Sequence, residues 1–219
     1  MTNFNIKIVS DTICPWCYVG KKRLDRAIEL YRKTQPSGKD DIFTITWSPF
    51  YLDPSLPTVG VPVAERMAAK FGADRYAAIQ QRLSAIGREE GIAFKFAGRV
   101  GNTRDSHRLI QLGKVKGNGT ENRVVEELFK SYFEGEGDIT SRDTLVAAAV
   151  RAGLEAGEAR EWLENGKGGE EVDEEVGRAY AKGITGVPSF TFQGIHDVGG
   201  AQDAEDLLRM LVNVKMEDT

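Results

Sequence analysis

The stretch Asn3-Phe4-Asn5-Ile6-Lys7-Ile8-Val9-Ser10-Asp11-Thr12-Ile13-Cys14-Pro15-Trp16-Cys17 decides the reading of this 219-residue chain. Phe4, Ile6 and Ile8 alternate with Asn5, Lys7 and Val9, the period of a strand over residues 4–10. From Pro15 to Lys33 the period lengthens, and Leu24, Ala27, Ile28 and Tyr31 make the stripe of a helix. The chain's 2 cysteines therefore sit where a strand hands over to a helix. Cysteines at i and i+3 share a helix face and come within the disulfide window of about 4.4–6.8 Å between Cα atoms. Pro15 is tolerated because first-turn N–H groups have no helical partner to lose. Those same N–H groups and the helix dipole favour a thiolate, and can bring a cysteine pKa down to ~3.5–7.5. Cys14 stands nearest to them and is the expected nucleophile. Cys17, one turn deeper, is the expected resolving thiol.

Working outward, Phe43, Ile45 and Trp47 alternate with Thr44, Thr46 and Ser48 in a second strand, after a break at Gln35-Pro36-Ser37-Gly38. A β-α-β opening implies parallel strands joined by a crossover. The proline-rich run from Pro49 to Pro62 reads as an irregular connection, and the texture then turns helical. Helices are expected over 64–90 with an interruption at Gly72, over 104–116, and across the apolar stripe of Val124, Val125, Leu128, Phe129, Tyr132 and Phe133. Thr140 with Asp143 reads as a capping box opening a helix at 141–152, and a short helix fits 156–164. No confident strand is legible between 64 and 165. A helix marked by Val172, Val176, Ala179 and Tyr180 ends at Gly183, two short strands flank Gly194, and Leu207, Leu208, Leu211 and Val212 mark a last helix. The order is β-α-β, helical insert, α-β-β-α: an α/β fold divided as 1–62, an insertion at 63–165, and 166–219.

Composition excludes some functions. Lys and Arg number 29 against 33 Asp and Glu, a net charge of −4 that argues against neutralising nucleic-acid phosphates. No apolar run approaches the roughly 18 residues of a membrane span. The opening residues carry no basic leader with an apolar run behind it, so a cytoplasmic protein is expected. Thiols there are kept reduced, which points the cysteine pair toward catalysis or metal rather than a structural disulfide. Zinc would need His107 and His196, or nearby acids, to converge on the pair, and no metal is expected. Two inert buried thiols are the other plain reading.

The second signature is Gly186-Val187-Pro188-Ser189-Phe190, a proline entering a strand, where a cis bond before Pro188 is conceivable and a trans one remains open. Together with Asp11 to Gly20, Asn102-Thr103, His107-Arg108-Leu109 and Gly200-Ala201-Gln202, these residues resemble the FrnE-like branch of the DsbA-type thioredoxin-fold disulfide oxidoreductases. The resemblance implies a thioredoxin fold interrupted by an all-helical insertion domain. It implies a loop of Val187 and Pro188 facing the Cys14–Cys17 dithiol, whose backbone pairs with an extended substrate. It also implies that Pro15, Trp16, Asn102 and His107 border the substrate. A homodimer is compatible with it.

The wider family includes kappa-class glutathione transferases and 2-hydroxychromene-2-carboxylate isomerases, in which a serine typically takes the first catalytic position. Two retained cysteines favour dithiol exchange with a disulfide-containing protein or a small thiol, and no tightly bound cofactor is expected. Glutathione as co-substrate, and a glutathione-dependent transferase or isomerase acting on a small aromatic molecule, form the alternative. Trp16 is either an exposed apolar platform or packing for the insert. Asp11 is either a helix cap, the favoured reading, or a proton relay to Cys17. His107 on its own reads as a satisfied surface or interface residue. Glu170-Glu171-Val172-Asp173-Glu174-Glu175 reads as the solvated first turn of a helix.

Overall fold

The structure is a computed structural model that describes residues 1–36 and 38–218, the side chain of Asn118 apart; Ser37, expected in the first helix break, and Thr219 lie outside the described residues. Strand β1 (Asn3–Ser10) pairs in parallel with β2 (Ile42–Pro49) and antiparallel with β5 (Ser189–Phe192), which pairs in turn with β6 (His196–Gly199). The sheet order is β2-β1-β5-β6. Helix α1 (Pro15–Thr34) crosses from β1 to β2, and α9 (Ala204–Glu217) packs beside it. Phe4, Ile6 and Ile8 are buried in the main core with Phe190 and Phe192, while Val9 faces the opposite side and packs with Phe50 and Ala179 of α8 (Gly169–Ala181). Each fully buried phenylalanine of this set contributes about 1.5–3 kcal/mol. This is the β-α-β … α-β-β-α core that the sequence predicts.

The remaining helices lie between β2 and α8. They are α2 (Val63–Phe71), α3 (Ala73–Glu90), α4 (Arg104–Lys116), α5 (Asn118–Phe129), α6 (Arg142–Arg151) and α7 (Ala156–Glu164). A π-helical turn over Lys130–Glu134 extends α5. The insertion is not purely helical: β4 (Arg99–Val100) lies within it and pairs with β3 (Val61–Pro62), just before it, in a two-stranded ribbon too short to leave a periodic signal. The expected cap at Thr140 is also shifted by one residue. Thr140 Oγ1 donates to Asp138 and accepts from the Gly60 N–H, so Ser141 becomes the cap and accepts from Thr144 N–H.

Helix α5 seals the outer edge of β2. Glu121 accepts from the Trp47 N–H at 2.8 Å, while Asn122 donates to the Ile45 carbonyl and accepts from the Trp47 indole. Side chains thus satisfy backbone groups that an open edge would expose. Helices α4 and α5 approach closely at Gly113, where a Cβ would stand 2.9 Å from Glu121 Cα. The acidic run differs from expectation at its last residue. Glu170, Glu171, Asp173 and Glu174 are exposed as expected, with Asp173 paired to Arg104, but Glu175 takes hydrogen bonds from Ser48, Gln111 and Lys114 and is withdrawn from solvent. His196 pairs with Glu217 on α9. Among the described residues no helix is long and apolar enough to cross a membrane.

Candidate active site

Cys14 is the N-cap of α1 and Pro15 its first residue, the position where proline costs no hydrogen bond. Cys14 N–H donates to the Asp11 carbonyl and Cys17 N–H to the Cys14 carbonyl, both at 3.0 Å, which winds the pair onto the first turn. Both cysteines are free thiols. Cys14 retains 3% exposure and Cys17 1%, so the difference in burial that the sequence predicts is small. Burial pushes the Cys17 thiol well up from its ordinary range, and the adjacent Cys14 pushes it further. The Ser10 hydroxyl and the Asp11 backbone N–H act in the opposite direction.

Across from the pair lies the loop before β5. The Val187–Pro188 bond is cis, and Cys14 Sγ points to the Val187 carbonyl oxygen at 3.5 Å. Gly20, one turn beyond Cys17, lets the loop come close: a Cβ there would lie 3.1 Å from both Pro188 Cγ and Phe190 Cζ. Val187 and Pro188 are therefore brought to the dithiol.

Pro15 and Trp16 border a cavity of about 430 Å³ between the cysteine loop and α2–α3. Trp16 combines its two expected roles. One part packs on the core, and its ring carries the Arg82 guanidinium of α3 at 5.4 Å. The structure also places Asp11, His107 and Asn102, and the first of them needs correction. Asp11 does not cap α1 with its side chain; its Oδ2 accepts from Leu52 N–H at 2.9 Å, because the loop after β2 reaches it first. His107 is the interface residue of its two plain readings: at 3% exposure its Nε2 lies 3.2 Å from the Phe50 carbonyl oxygen and 3.5 Å from Asp11 Oδ1. Asn102 turns inward along its own chain, accepting from Arg104 N–H at 2.9 Å at the start of α4. Neither His107 nor Asn102 borders the cavity beside Trp16.

Sequence reasoning passes over Ser10, whose only signal is a polar residue on the last strand position before the motif. It passes over the cavity wall as well. The signal there is the apolar spacing of Val63, Met67 and Phe71 along α2, a helix that buries none of its residues. Among the described residues no group of three or more His, Cys, Asp and Glu side chains is placed to hold a metal ion.

Comparison with known proteins identifies the family and fold. A Streptomyces coelicolor protein described as a probable DsbA oxidoreductase superposes with a TM-score of 0.87 at 31% identity, covering 99% of this chain and 92% of its own. YwbO of Bacillus subtilis, named as an uncharacterised protein, is 27% identical over 191 residues, 85% of each chain. The cytosolic disulfide reductase DsbM of Pseudomonas aeruginosa, solved with glutathione, shares the fold at a TM-score of 0.62 and 15% identity, with 97% of this chain and 99% of that one covered. The DSBA-like thioredoxin domain matches residues 5–212, and the chain belongs to that family of oxidoreductases.

Proposed function

We propose that this protein is a thiol–disulfide oxidoreductase in which Cys14 is the nucleophile and Cys17 the resolving thiol, working as a reductase or isomerase in a reducing cytosol. The observation that carries the reading is the pairing of two free thiols on the first turn of α1 with the Val187–Pro188 loop 3.5 Å from Cys14 Sγ. Cys14, as thiolate, attacks one sulfur of a substrate disulfide. A bond forms between Cys14 and that sulfur, and the other sulfur leaves as a thiolate that takes up a proton. Cys17 then loses its proton and attacks Cys14 Sγ, the substrate's first sulfur departs as the second thiol, and the protein holds a Cys14–Cys17 disulfide. One disulfide is reduced and one formed. Two molecules of a small thiol such as glutathione restore the dithiol by the reverse exchange, leaving as their own disulfide.

The shifted Cys17 thiol fits the second role: a group that stays protonated leaves the mixed disulfide time to select its partner. Ser10 and the Asp11 backbone supply the hydrogen bonds that ease its ionisation by stabilising the thiolate. The backbone of Val187 and Pro188 offers an edge for an extended substrate. The fold of DsbM, solved with glutathione, supports glutathione as co-substrate.

The experiment is a trap. Cys17→Ser protein, incubated with cell extract, accumulates a mixed disulfide on Cys14 that mass spectrometry identifies. Cys14→Ser accumulates none and no longer reduces a model disulfide. Full activity of Cys14→Ser overturns the assignment. Catalysis that survives loss of Cys17 and saturates with glutathione would favour the transferase or isomerase chemistry instead.

A further inference from the structure

We infer that the cavity beside the cysteine pair holds the aromatic part of a small-molecule disulfide that carries an anionic group, and that such a compound is the substrate class of this enzyme; the inference rests on the oxidoreductase reading above. The cavity measures about 430 Å³. That lies in the range of small-molecule sites, roughly 300–1,000 Å³.

One wall is the cysteine loop itself. Ile13, Pro15 and Trp16 line the cavity and bracket Cys14, so an occupant lies against the loop that carries the nucleophile. The opposite wall is α2 and α3. Val63, Met67 and Phe71 stand four residues apart on one face of α2; Val63 and Met67 also touch the main core, yet no residue of the helix is fully buried and all three line the cavity. Apolar surface left wet in this way returns about 25 cal/mol per Å² when a ligand covers it.

Two polar features set the ligand's character. Tyr76 of α3 lines the cavity at 8% exposure, and its buried hydroxyl interacts with Gln80 one turn on in the same helix. A hydroxyl has both donor and acceptor capacity, so it can also meet a polar group on a ligand. Lys70, Arg82 and Lys95 also line the cavity, against Asp53. Asp53 is already held by Arg66 at 3.0 Å and Lys70 at 3.5 Å. Arg82 and Lys95 pair with no carboxylate among the described residues, and the Arg82 guanidinium sits over the Trp16 ring at 5.4 Å, which places a cation for an anion beside an aromatic surface. An aromatic carboxylate or sulfonate fits this combination. A tripeptide thiol such as glutathione, with no large apolar part, does not fill it.

The chemistry is the exchange already balanced above, with the sulfur bound to the aromatic group forming the mixed disulfide on Cys14 and leaving as the second thiol. The test compares three small disulfides and one protein disulfide: dithiobis(nitrobenzoate), aromatic and anionic; dithiodipyridine, aromatic and uncharged; hydroxyethyl disulfide, neither; and insulin. Met67→Trp and, separately, Ile79→Trp fill the cavity. Each should lower kcat/KM for dithiobis(nitrobenzoate) about tenfold relative to hydroxyethyl disulfide, with the loss in KM. Arg82→Glu with Lys95→Glu should penalise dithiobis(nitrobenzoate) relative to dithiodipyridine. Unchanged ratios overturn the inference, and so does a fall in insulin reduction that matches the aromatic loss, which marks a peptide site.

A second measurement needs no turnover. Anilinonaphthalene sulfonate titrated into the reduced wild-type protein should bind at one saturable site and be displaced by nitrobenzoate. Dye binding with no reduction of any disulfide overturns the redox reading and leaves the cavity assignment standing. No dye binding overturns the cavity assignment whatever the turnover.

Discussion

Cys14 Sγ and the carbonyl oxygen of Val187 meet at 3.5 Å although 173 residues separate them. The contact joins the first turn of α1 to the loop before β5; Gly20 lets that loop come close, and Ser10 hydrogen-bonds Cys17, the other thiol of the pair.

Ser10 is the first handle. Its hydroxyl favours the ionised form of Cys17 against strong burial. Ser10→Ala should raise the Cys17 pKa further and slow disulfide closure several-fold near neutral pH, with the deficit shrinking as pH rises. Acid-quenched mass spectrometry of the mixed disulfide reads this; closure as fast as wild type at pH 7 would show that Ser10 has no part in the step.

At Gly20, space rather than charge decides. A valine there drives its methyl groups into Pro188 and Phe190, which already sit 3.1 Å from an added Cβ. Overpacking of this kind costs about 1–3 kcal/mol. Gly20→Val should lose that much stability in urea unfolding and should also lower the rate of attack by Cys14, because the loop can yield only by moving off the sulfur. Gly20→Val with unaltered stability would mean the loop moves freely.

Glu121 makes stability depend on pH. Burial raises its pKa from 4.5 to about 7, with Glu175 adding to the rise and the Trp47 N–H and Lys114 opposing it. Between those two values the folded chain holds a proton that the unfolded chain has released. Stability therefore falls as pH rises from about 4.5 to about 7, by roughly 3 kcal/mol in all. Glu121→Gln keeps an acceptor for the Trp47 N–H and removes the ionisation. Its melting temperature should stay flatter across that window and exceed wild type at pH 8. Parallel pH profiles for the two proteins would refute this.

Arg108 is the last handle. Its buried guanidinium donates to the carbonyls of Trp162, Leu163 and Lys167 and pairs with Asp105, so it closes the C-terminal end of α7. Lysine has a single nitrogen and cannot serve that fork. Arg108→Lys should cost about 2–3 kcal/mol in denaturant midpoint while leaving thiol exchange by the folded fraction intact.

Periodicity and capping chemistry are local, and they carry most of the architecture. The alternation of Phe4, Ile6 and Ile8 and the stripe of Leu24, Ala27, Ile28 and Tyr31 each require one buried face, and those residues are buried. The helices at 104–116 and 156–164 begin and end where their patterns do. The dithiol was legible for the same reason: spacing, proline and helix start are all within four residues. The ribbon of β3 and β4 was not, since two-residue strands have no period. Nor was the choice between Thr140 and Ser141 as cap, which turned on Asp138 and Gly60 together taking up the Thr140 hydroxyl.

The chain by itself determined where strands and helices form and that two cysteines open a helix, because those outcomes depend on neighbours a few residues apart. Only the tertiary structure decided which side chains reach the site. Asp11 turned to Leu52, His107 went under Phe50, Asn102 bent back to α4, and α2 left its apolar face on a cavity. Each depends on which distant group arrives at bonding distance first, and no local pattern encodes that competition.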